Sequence, residues 1–310
     1  MTRDLFARPG MAVMVMLVTP LFFSTNLIFG RHVIGEAAPF TLALIRWGLV
    51  TLALSPFLYR ERVAARALLA EARGSIMLLG FLGMWVCGGL VYLGLRYTTA
   101  TNATLIYTTS PVFILLIAAI RTSRPIGLRE AIGSALALFG IAYIVLRGQP
   151  ATILDLAFNT GDLIIVAGAV CWAVYSLMLR APRFSAMSNL SLLSLIAGAG
   201  SLLLLPFAVA EFATGQPMPA TALAWRSIAG IVAFSSLLAF LGFQVGIRGL
   251  GAPTASVFMY LMPAYGVMMA VWFLGETFEG FHAIGIVLVM GGVILATLPA
   301  GLLRGLRPRT

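Results

Sequence analysis

The sequence predicts an all-α polytopic membrane protein in which ten transmembrane helices form two inverted five-helix repeats. Three observations support this fold class. Of the 310 residues, 61% are hydrophobic and only 10% are charged. The apolar residues fall into blocks of about 20, the length that a helix needs to cross hydrocarbon about 30 Å thick. Finally, the second half of the chain repeats part of the first.

Each apolar block is expected to be a helix, because backbone groups inside a bilayer have no water to bond and must satisfy one another. The predicted spans cover approximately residues 11–30, 38–58, 74–95, 100–120, 128–146, 160–180, 187–209, 226–247, 252–274 and 282–300. The first block is too long for a signal peptide and lacks a small-residue cleavage site, so we expect it to be retained. The short connections indicate no soluble domain.

The internal repeat joins residues 94–146 to residues 246–298, which align without a gap at an offset of 152 with 12 identities in 53 pairs. The identities include Arg96 with Arg248, Pro111 with Pro263 and Gly140 with Gly292. A period of half the chain indicates a duplicated large unit. We therefore expect two repeats, residues 1–150 and 151–310, within one membrane domain, and an odd number of spans inverts the second repeat.

The distribution of arginine predicts the orientation, because cytoplasmic loops carry an excess of positive charge. Fifteen arginines fall on one side: Arg3, Arg8, Arg60, Arg62, Arg66, Arg73, Arg121, Arg124, Arg129, Arg180, Arg183, Arg248, Arg304, Arg307 and Arg309. The opposite loops hold four: Arg31, Arg96, Arg147 and Arg226. Both termini are thus predicted to be cytoplasmic, which requires an even number of spans. The net charge of +10 is explained by topology, and no nucleic-acid partner is expected.

The segment LGETFEGFHAIGIVLVMGGVILATL, residues 274–298, resembles the ninth and tenth helices of the EamA type of the drug/metabolite transporter superfamily. Its specific pieces are Gly275-Glu276, Gly285 and Gly291-Gly292. The resemblance extends to PFTLALIRW, residues 39–47, and to the two-by-five organisation. The first half carries Ser123-Arg124 where the second has Gly275-Glu276, so a symmetric pair of glutamates is not implied.

This resemblance implies a secondary transporter of the bacterial inner membrane that works by alternating access. Within the superfamily the chain looks most similar to aromatic amino acid exporters of the YddG type, which implies export of aromatic or other neutral amino acids. Purine-type metabolites and drugs stay open as alternative substrates. A small molecule and membrane lipid are the expected partners, and a monomer would suffice.

Polar and aromatic residues inside the predicted spans are candidates for lining a substrate cavity, because ring faces suit flat substrates and amides and hydroxyls bond carboxylates or ammonium groups. The candidates are Asn26, Trp85, Tyr92, Asn102, Tyr107, Trp172, Tyr175, Ser176, Gln244, Tyr260 and Tyr265. Tyr92 and Gln244 occupy matched repeat positions, and we expect them to face each other if both halves line one cavity. Interface anchoring and helix packing are the alternative explanations.

Three further residues are candidates for hinges or gates. Pro111 and Pro263 each remove a backbone donor near the middle of a span, which predicts a kink. Arg46 lies inside the second span, where a charge costs roughly 2.5 to 3.5 kcal/mol on insertion scales if it is central. It attracts an anionic group, stabilises a gate, snorkels towards the membrane interface, or bonds helix carbonyls.

Other classes of protein find less support in the sequence. No Asp or Glu lies centrally in a predicted span, and His32 and His282 fall at helix ends, which disfavours a proton relay and favours facilitated export or exchange. Cys87 and Cys171 lie inside spans, so neither a disulfide framework nor a metal site is predicted. No cofactor is indicated. An enzyme lacks an activated nucleophile, whereas a channel is an alternative that the duplicated halves make less favourable.

Overall fold

The computed structural model describes residues 9–33, 35–123, 125–155, 159–275 and 277–297. Within them the chain forms ten helices long and apolar enough to cross a membrane, which confirms the predicted fold class. In chain order they are α1 (Gly10–Gly30), α2 (Pro39–Arg60), α3 (Arg62–Gly94), α4 (Thr101–Thr122), α5 (Leu128–Val145), α6 (Thr160–Met178), α7 (Asn189–Ala213), α8 (Ala222–Leu250), α9 (Ala252–Phe273) and α10 (Gly280–Thr297). Short 3-10 segments, Pro150–Asp155 and Pro182–Phe184, lie in two connections.

Helix α3 is longer than the sequence predicts, since it begins at Arg62 rather than near residue 74. Its first turns are amphipathic: Ala65 and Leu68 are buried while Arg66 is exposed. Such a segment escapes a search for uniformly apolar blocks. At Ala72 the backbone leaves helical geometry (φ −137°, ψ 31°), and the apolar part of α3 follows this kink.

Four glycines reveal the inverted symmetry where α5 crosses α10. A Cβ atom at Gly133 would lie 2.6 Å from the carbonyl oxygen of Gly292, and one at Gly140 would lie 2.8 Å from that of Gly285. At the repeat offset of 152, Gly133 corresponds to Gly285 and Gly140 to Gly292. The contacts are therefore reciprocal, as a twofold axis requires, and the two helices run antiparallel. Only residues without side chains allow backbones this close.

Helices α2 and α7 form a second antiparallel pair. The N-terminus of each helix donates hydrogen bonds to a glutamate carboxylate at the C-terminal end of the other. Glu211, near the end of α7, accepts hydrogen bonds from the backbone N–H groups of Phe40 (3.1 Å) and Thr41 (2.7 Å) at the start of α2. Glu61, just past α2, accepts one from the N–H of Ser188 at the start of α7 (2.9 Å). Carboxylates at helix N-termini satisfy unpaired donors and complement the helix dipole.

Helices α4 and α9 are both interrupted just before their prolines. In α4 the α-helical segments Ala100–Tyr107 and Ser110–Thr122 are separated by a two-residue turn, and Pro111 lies in the first turn of the second segment. In α9 the 3-10 segment Phe258–Leu261 precedes Met262–Leu274, which carries Pro263 in its first turn. Proline is tolerated there because its missing N–H needs no partner. The predicted breaks are present, and their role as hinges stays a prediction.

The third and eighth spans share another irregularity that sequence reasoning missed. Residues Phe81–Leu90 of α3 and Ile231–Leu238 of α8 are π-helical. At the repeat offset the first segment corresponds to residues 233–242, so the two overlap. A π-helix alters which carbonyls are engaged along the helix and often marks a functional site. The segment in α8 lies beside Arg46, as described below.

The second segments of α4 and α9 both end in left-handed backbone, at Ser123 (φ 50°) and at its repeat equivalent Gly275 (φ 68°). Glycine adopts this conformation without the Cβ clash that serine incurs. We expect Ser123→Gly to stabilise the protein by about 1 kcal/mol and Gly275→Ser to destabilise it comparably, measured as apparent melting temperature in detergent. Shifts of the same sign in the two variants would contradict this explanation.

Several sequence predictions fall outside the described residues. They concern Glu276, Arg124 and the arginines of both termini. Glu279 is described: its backbone N–H donates to His282 Nδ1 (3.0 Å) and its carboxylate accepts from the Thr277 hydroxyl (3.2 Å), which are local contacts at the start of α10. The repeat boundary at residues 150 and 151 stays a prediction.

Candidate functional site

Arg46 forms the polar centre of the bundle. Its side chain is 7% exposed. Its Nε donates to the Ser236 hydroxyl (2.6 Å), Nη1 to the Tyr92 hydroxyl (3.0 Å) and Nη2 to the Ser235 carbonyl (3.1 Å). The sequence-based interpretation that Arg46 bonds a helix carbonyl is therefore partly correct. All three partners are neutral, so these bonds orient the guanidinium without compensating its charge.

The π-helical segment of α8 supplies two of these partners. The Ser236 hydroxyl, which accepts from Arg46, also donates to the carbonyl of Ile231 (3.0 Å), five residues earlier. The neighbouring Ser235 directs its own hydroxyl to the same carbonyl (3.1 Å) and offers its backbone oxygen to Arg46. The two serines thus have different roles: Ser236 acts through its side chain and Ser235 through its backbone.

Tyr92 and Asn26 lie on the more open side of Arg46, where both side chains are only partly buried. The Tyr92 hydroxyl reaches the side-chain oxygen of Asn26 at 3.5 Å. This network joins α1, α2, α3 and α8, so it draws on both halves of the chain. Arg46 lies seven residues into α2, about 10 Å from that end at 1.5 Å per residue.

Six aromatic side chains, which we call the aromatic cluster, pack beside this network. They come from α1, α2, α6 and α8 and are Phe23, Trp47, Trp172, Tyr175, Phe240 and Phe243. The Phe240 ring lies 4.8 Å from Trp47, 5.4 Å from Phe23 and 5.5 Å from Trp172, measured between centroids. The Arg46 guanidinium lies over the Trp47 ring at 4.8 Å, which connects the cation to the cluster.

Two members of the aromatic cluster, and the residue that follows Phe243 in sequence, carry polar groups that have no hydrogen-bond partner among the described residues. They are the indole N–H of Trp47, the hydroxyl of Tyr175 and the side-chain amide of Gln244. Each of these side chains is at most 2% exposed. Buried polar groups are normally paired, and leaving one unpaired costs about 1 to 3 kcal/mol. Ser176, by contrast, donates to the Trp172 carbonyl within α6 (2.7 Å).

A cavity of about 770 Å³ opens at the end of the bundle where α4 meets α5, α6 meets α7 and α8 meets α9. We call this the arginine-rich end. The lining includes Arg121, Arg180, Arg183, Glu130, Leu177 and Met178. Trp172 and Tyr175 lie six and three residues before the end of α6 at Met178. Arg46 lies 14 residues before the end of α2 at Arg60, on the same side of the bundle, so the aromatic cluster lies at a depth between this cavity and Arg46.

Other predicted site residues lie elsewhere. Trp85 stacks on Phe81 (5.1 Å) and contacts Phe207 (5.1 Å), and both phenylalanines are exposed on the apolar surface of the bundle. Tyr265 donates to the carbonyl of Leu17 (2.7 Å), which ties α9 to α1. Tyr260 lies in the 3-10 segment of α9 and is fully buried. Their predicted role as cavity residues is not supported by contact with Arg46 or the aromatic cluster.

Asn102 belongs to a separate network at the end opposite the arginine-rich end. Its side-chain nitrogen donates to Asp162 (3.1 Å), and the same carboxylate accepts from the Thr98 hydroxyl and from the backbone N–H of Asn159 (2.9 Å). Asp162 is 2% exposed and lies in the first turn of α6. The acid was not singled out from the sequence, and its contacts are those of a helix cap that links α4 to α6.

Tyr107 packs against α6 at Gly168, where an added Cβ would lie 3.4 Å from its ring. Cys87 donates to the Gly168 carbonyl (3.5 Å), and both cysteines are free thiols.

Tyr92 and Gln244 do not hydrogen-bond each other: Tyr92 bonds Arg46, whereas the Gln244 amide is unpaired. An inverted repeat places equivalent residues at opposite depths, which explains why the expected face-to-face arrangement is absent. In the described part of the chain, no group of three metal-binding side chains is present.

The chain forms ten helices in two inverted halves. A buried arginine lies beside aromatic rings that come from both halves. This combination is typical of a membrane transporter. A model of the EamA-like transporter family matches residues 10–146 and again residues 159–298. The chain belongs to the EamA-like transporter family.

Curated relatives agree with this class. The chain is 27% identical to "Uncharacterized transporter YyaM" of Bacillus subtilis over 89% of its own length and 90% of that protein. It is 28% identical to a "Probable terminal-alkyne amino-acid exporter" of Streptantibioticus cattleyicolor, covering 71% of each. It is 23% identical to an "S-adenosylmethionine/S-adenosylhomocysteine transporter" of Chlamydia trachomatis, covering 92% and 87%. A solved crystal structure shares the fold with a TM-score of 0.73 at 20% identity, over 96% of this chain and 99% of that one.

Proposed function

We propose that this transporter exports neutral amino acids, aromatic ones among them, by alternating access across a bacterial inner membrane, with both termini in the cytoplasm. The observation that carries the proposal is the contact between Arg46 and the aromatic cluster. A cation and a set of rings at one centre match a substrate that has a carboxylate at one end and an apolar side chain at the other. The resemblance to exporters of the YddG type and the amino-acid exporter among the relatives support the same substrate class.

Alternating access is supported by the composition of the centre. Phe23 and Trp47 come from the first half, whereas Trp172, Tyr175 and Phe240 come from the second. Substrate sites of transporters with inverted repeats lie between such halves near the bilayer midplane. Rocking of one half against the other would separate the rings and open the centre to one side at a time. The breaks before Pro111 and Pro263 are where we expect α4 and α9 to bend.

We propose facilitated export or exchange as the mode of energy coupling. The acids in the described helices lie near span ends, as Asp162 and Glu211 do, or before the kink of α3, as Glu71 does. A relay of carboxylates through the bilayer centre is thus unsupported.

Flux into or out of proteoliposomes tests this function. Purified protein is reconstituted, and movement of radiolabelled phenylalanine, tryptophan, threonine and an adenine nucleoside is followed with and without a proton gradient. We expect saturable movement of the amino acids that persists without the gradient. Movement of the nucleoside alone would replace this proposal with the purine-type alternative, which the adenosylmethionine transporter among the relatives favours. Strict dependence on the gradient would overturn facilitation.

A further inference from the structure

The charge of Arg46 is uncompensated in the described part of the chain. Its three hydrogen-bond partners are two hydroxyls and a carbonyl, and none carries a negative charge. A buried cation without a counter-charge is costly, because neutral groups replace only part of the lost hydration. Such an arrangement is explained if a ligand supplies the missing anion.

The guanidinium also retains donors for such a ligand. It carries five N–H groups, and the three hydrogen bonds use one from each nitrogen. One N–H on Nη1 and one on Nη2 remain, so the guanidinium can still donate to a carboxylate. Ser236 is fully buried on one side, whereas Tyr92 and Asn26 are partly buried on the other. We therefore expect a ligand to approach Arg46 from the side of Tyr92.

We infer that Arg46 is the binding site for the substrate carboxylate, and that this site selects carboxylates over amines and amides of the same shape. The inference rests on the proposed transport function. Tyr92 and Asn26 lie where they contact the bound head group, and Trp47 directs the attached side chain towards the aromatic cluster. Ser236 is a positioning residue, since it holds Nε, while the remaining N–H group on each of Nη1 and Nη2 is left for the ligand.

A ligand panel on purified protein tests the inference through binding alone, which keeps it separable from transport. The ligands are phenylalanine, 3-phenylpropanoate, phenylalaninamide and phenethylamine. Affinity is measured by intrinsic fluorescence, with thermal shift as a second readout. We expect the two carboxylates to bind at least about tenfold more tightly than the amide and the amine, the factor that one lost charge-assisted contact produces. Equal binding of all four compounds would overturn the inference.

Variants then locate the site. Arg46→Gln should remove the preference for carboxylates, and Arg46→Lys should retain part of it. If Arg46→Gln does not fold, two serine variants decide: Ser236→Ala removes the hydroxyl that contacts Arg46, whereas Ser201→Ala removes a hydroxyl that donates to the Ala197 carbonyl within α7 (2.9 Å). We expect a weaker affinity for phenylalanine in Ser236→Ala and wild-type affinity in Ser201→Ala. Equal affinities in both serine variants, or an unchanged preference in Arg46→Gln, would contradict the assignment. Carboxylate binding without any flux would refute the transport proposal alone.

Discussion

Gly292→Ala should lower the free energy of unfolding by about 3 kcal/mol, whereas the same change one residue earlier, Gly291→Ala, should leave it unchanged or slightly raised. A Cβ at Gly292 would lie 2.5 Å from the Gly133 carbonyl oxygen and 2.6 Å from the Ala137 nitrogen. Both are backbone atoms and cannot rotate away, so the helices α5 and α10 must separate. A Cβ at Gly291 meets only the end of the Leu136 side chain, at 3.8 Å, an ordinary contact.

The measurement is the apparent melting temperature and the monodispersity of the two variants in the same detergent. Within a helix, alanine is more favourable than glycine by about 0.5 to 1 kcal/mol. For this reason Gly291→Ala is expected to raise the free energy of unfolding rather than lower it. Equal destabilisation by both variants would show that loss of glycine itself, rather than the approach of α10 to α5, is responsible. The reciprocal change Gly140→Ala should behave like Gly292→Ala, because the two positions are equivalent in the repeat.

Phe240→Ala should produce the second large effect, a leak of substrate that does not saturate. Phe240 is 4% exposed and contacts Trp47, Phe23, Trp172 and Tyr175. It thus fills the middle of the aromatic cluster, which lies at a depth between the cavity at the arginine-rich end and Arg46, where we expect it to act as a barrier. Truncation to alanine removes most of this ring packing and should also cost about 3 to 5 kcal/mol of stability.

Phe207→Ala provides the matched control for Phe240→Ala. Like Phe240, Phe207 packs against other aromatic rings, in its case those of Phe40 (5.0 Å) and Trp85 (5.1 Å). Unlike Phe240, it is 43% exposed at the apolar surface. We expect smaller destabilisation and no leak in this variant. Flux is measured over a wide range of substrate concentrations in proteoliposomes of equal protein content. A fully saturable flux in Phe240→Ala would show that the aromatic cluster is not a barrier.

Much of the fold follows from sequence, because a bilayer imposes a simple length and polarity rule on each span. The start of α3 does not follow: residues 62–73 are amphipathic, and an amphipathic helix gives no continuous apolar block. The π-helical segments are also hidden, since a shift of one residue in backbone hydrogen bonding has no fixed side-chain pattern. The breaks before Pro111 and Pro263, in contrast, follow from the chemistry of proline.

The candidate site is predictable only in part. Arg46, Tyr92 and Asn26 are conspicuous because polar groups are costly in a span, and the structure brings them together. Phe240 is not conspicuous, because phenylalanine is common in membrane helices and carries no polar atom that marks an inward position. Asn102 is polar for a different reason, since it bonds the Asp162 cap. Polarity identifies residues that need a partner, but the partner becomes known only from the packing.

The chain is duplicated, but its central charge is not. Helix α7, which corresponds to α2 in the second repeat, contains no basic residue between Asn189 and Ala213. In the alternating-access cycle that we propose, the inward-facing and outward-facing forms are then not equivalent, because the guanidinium lies closer to one end of the bundle than to the other. We expect different half-saturation concentrations on the two faces of the membrane. For the facilitated mode that we propose, detailed balance requires maximal rates that differ in the same proportion, so a duplicated fold with one central charge would transport faster in one direction at saturation.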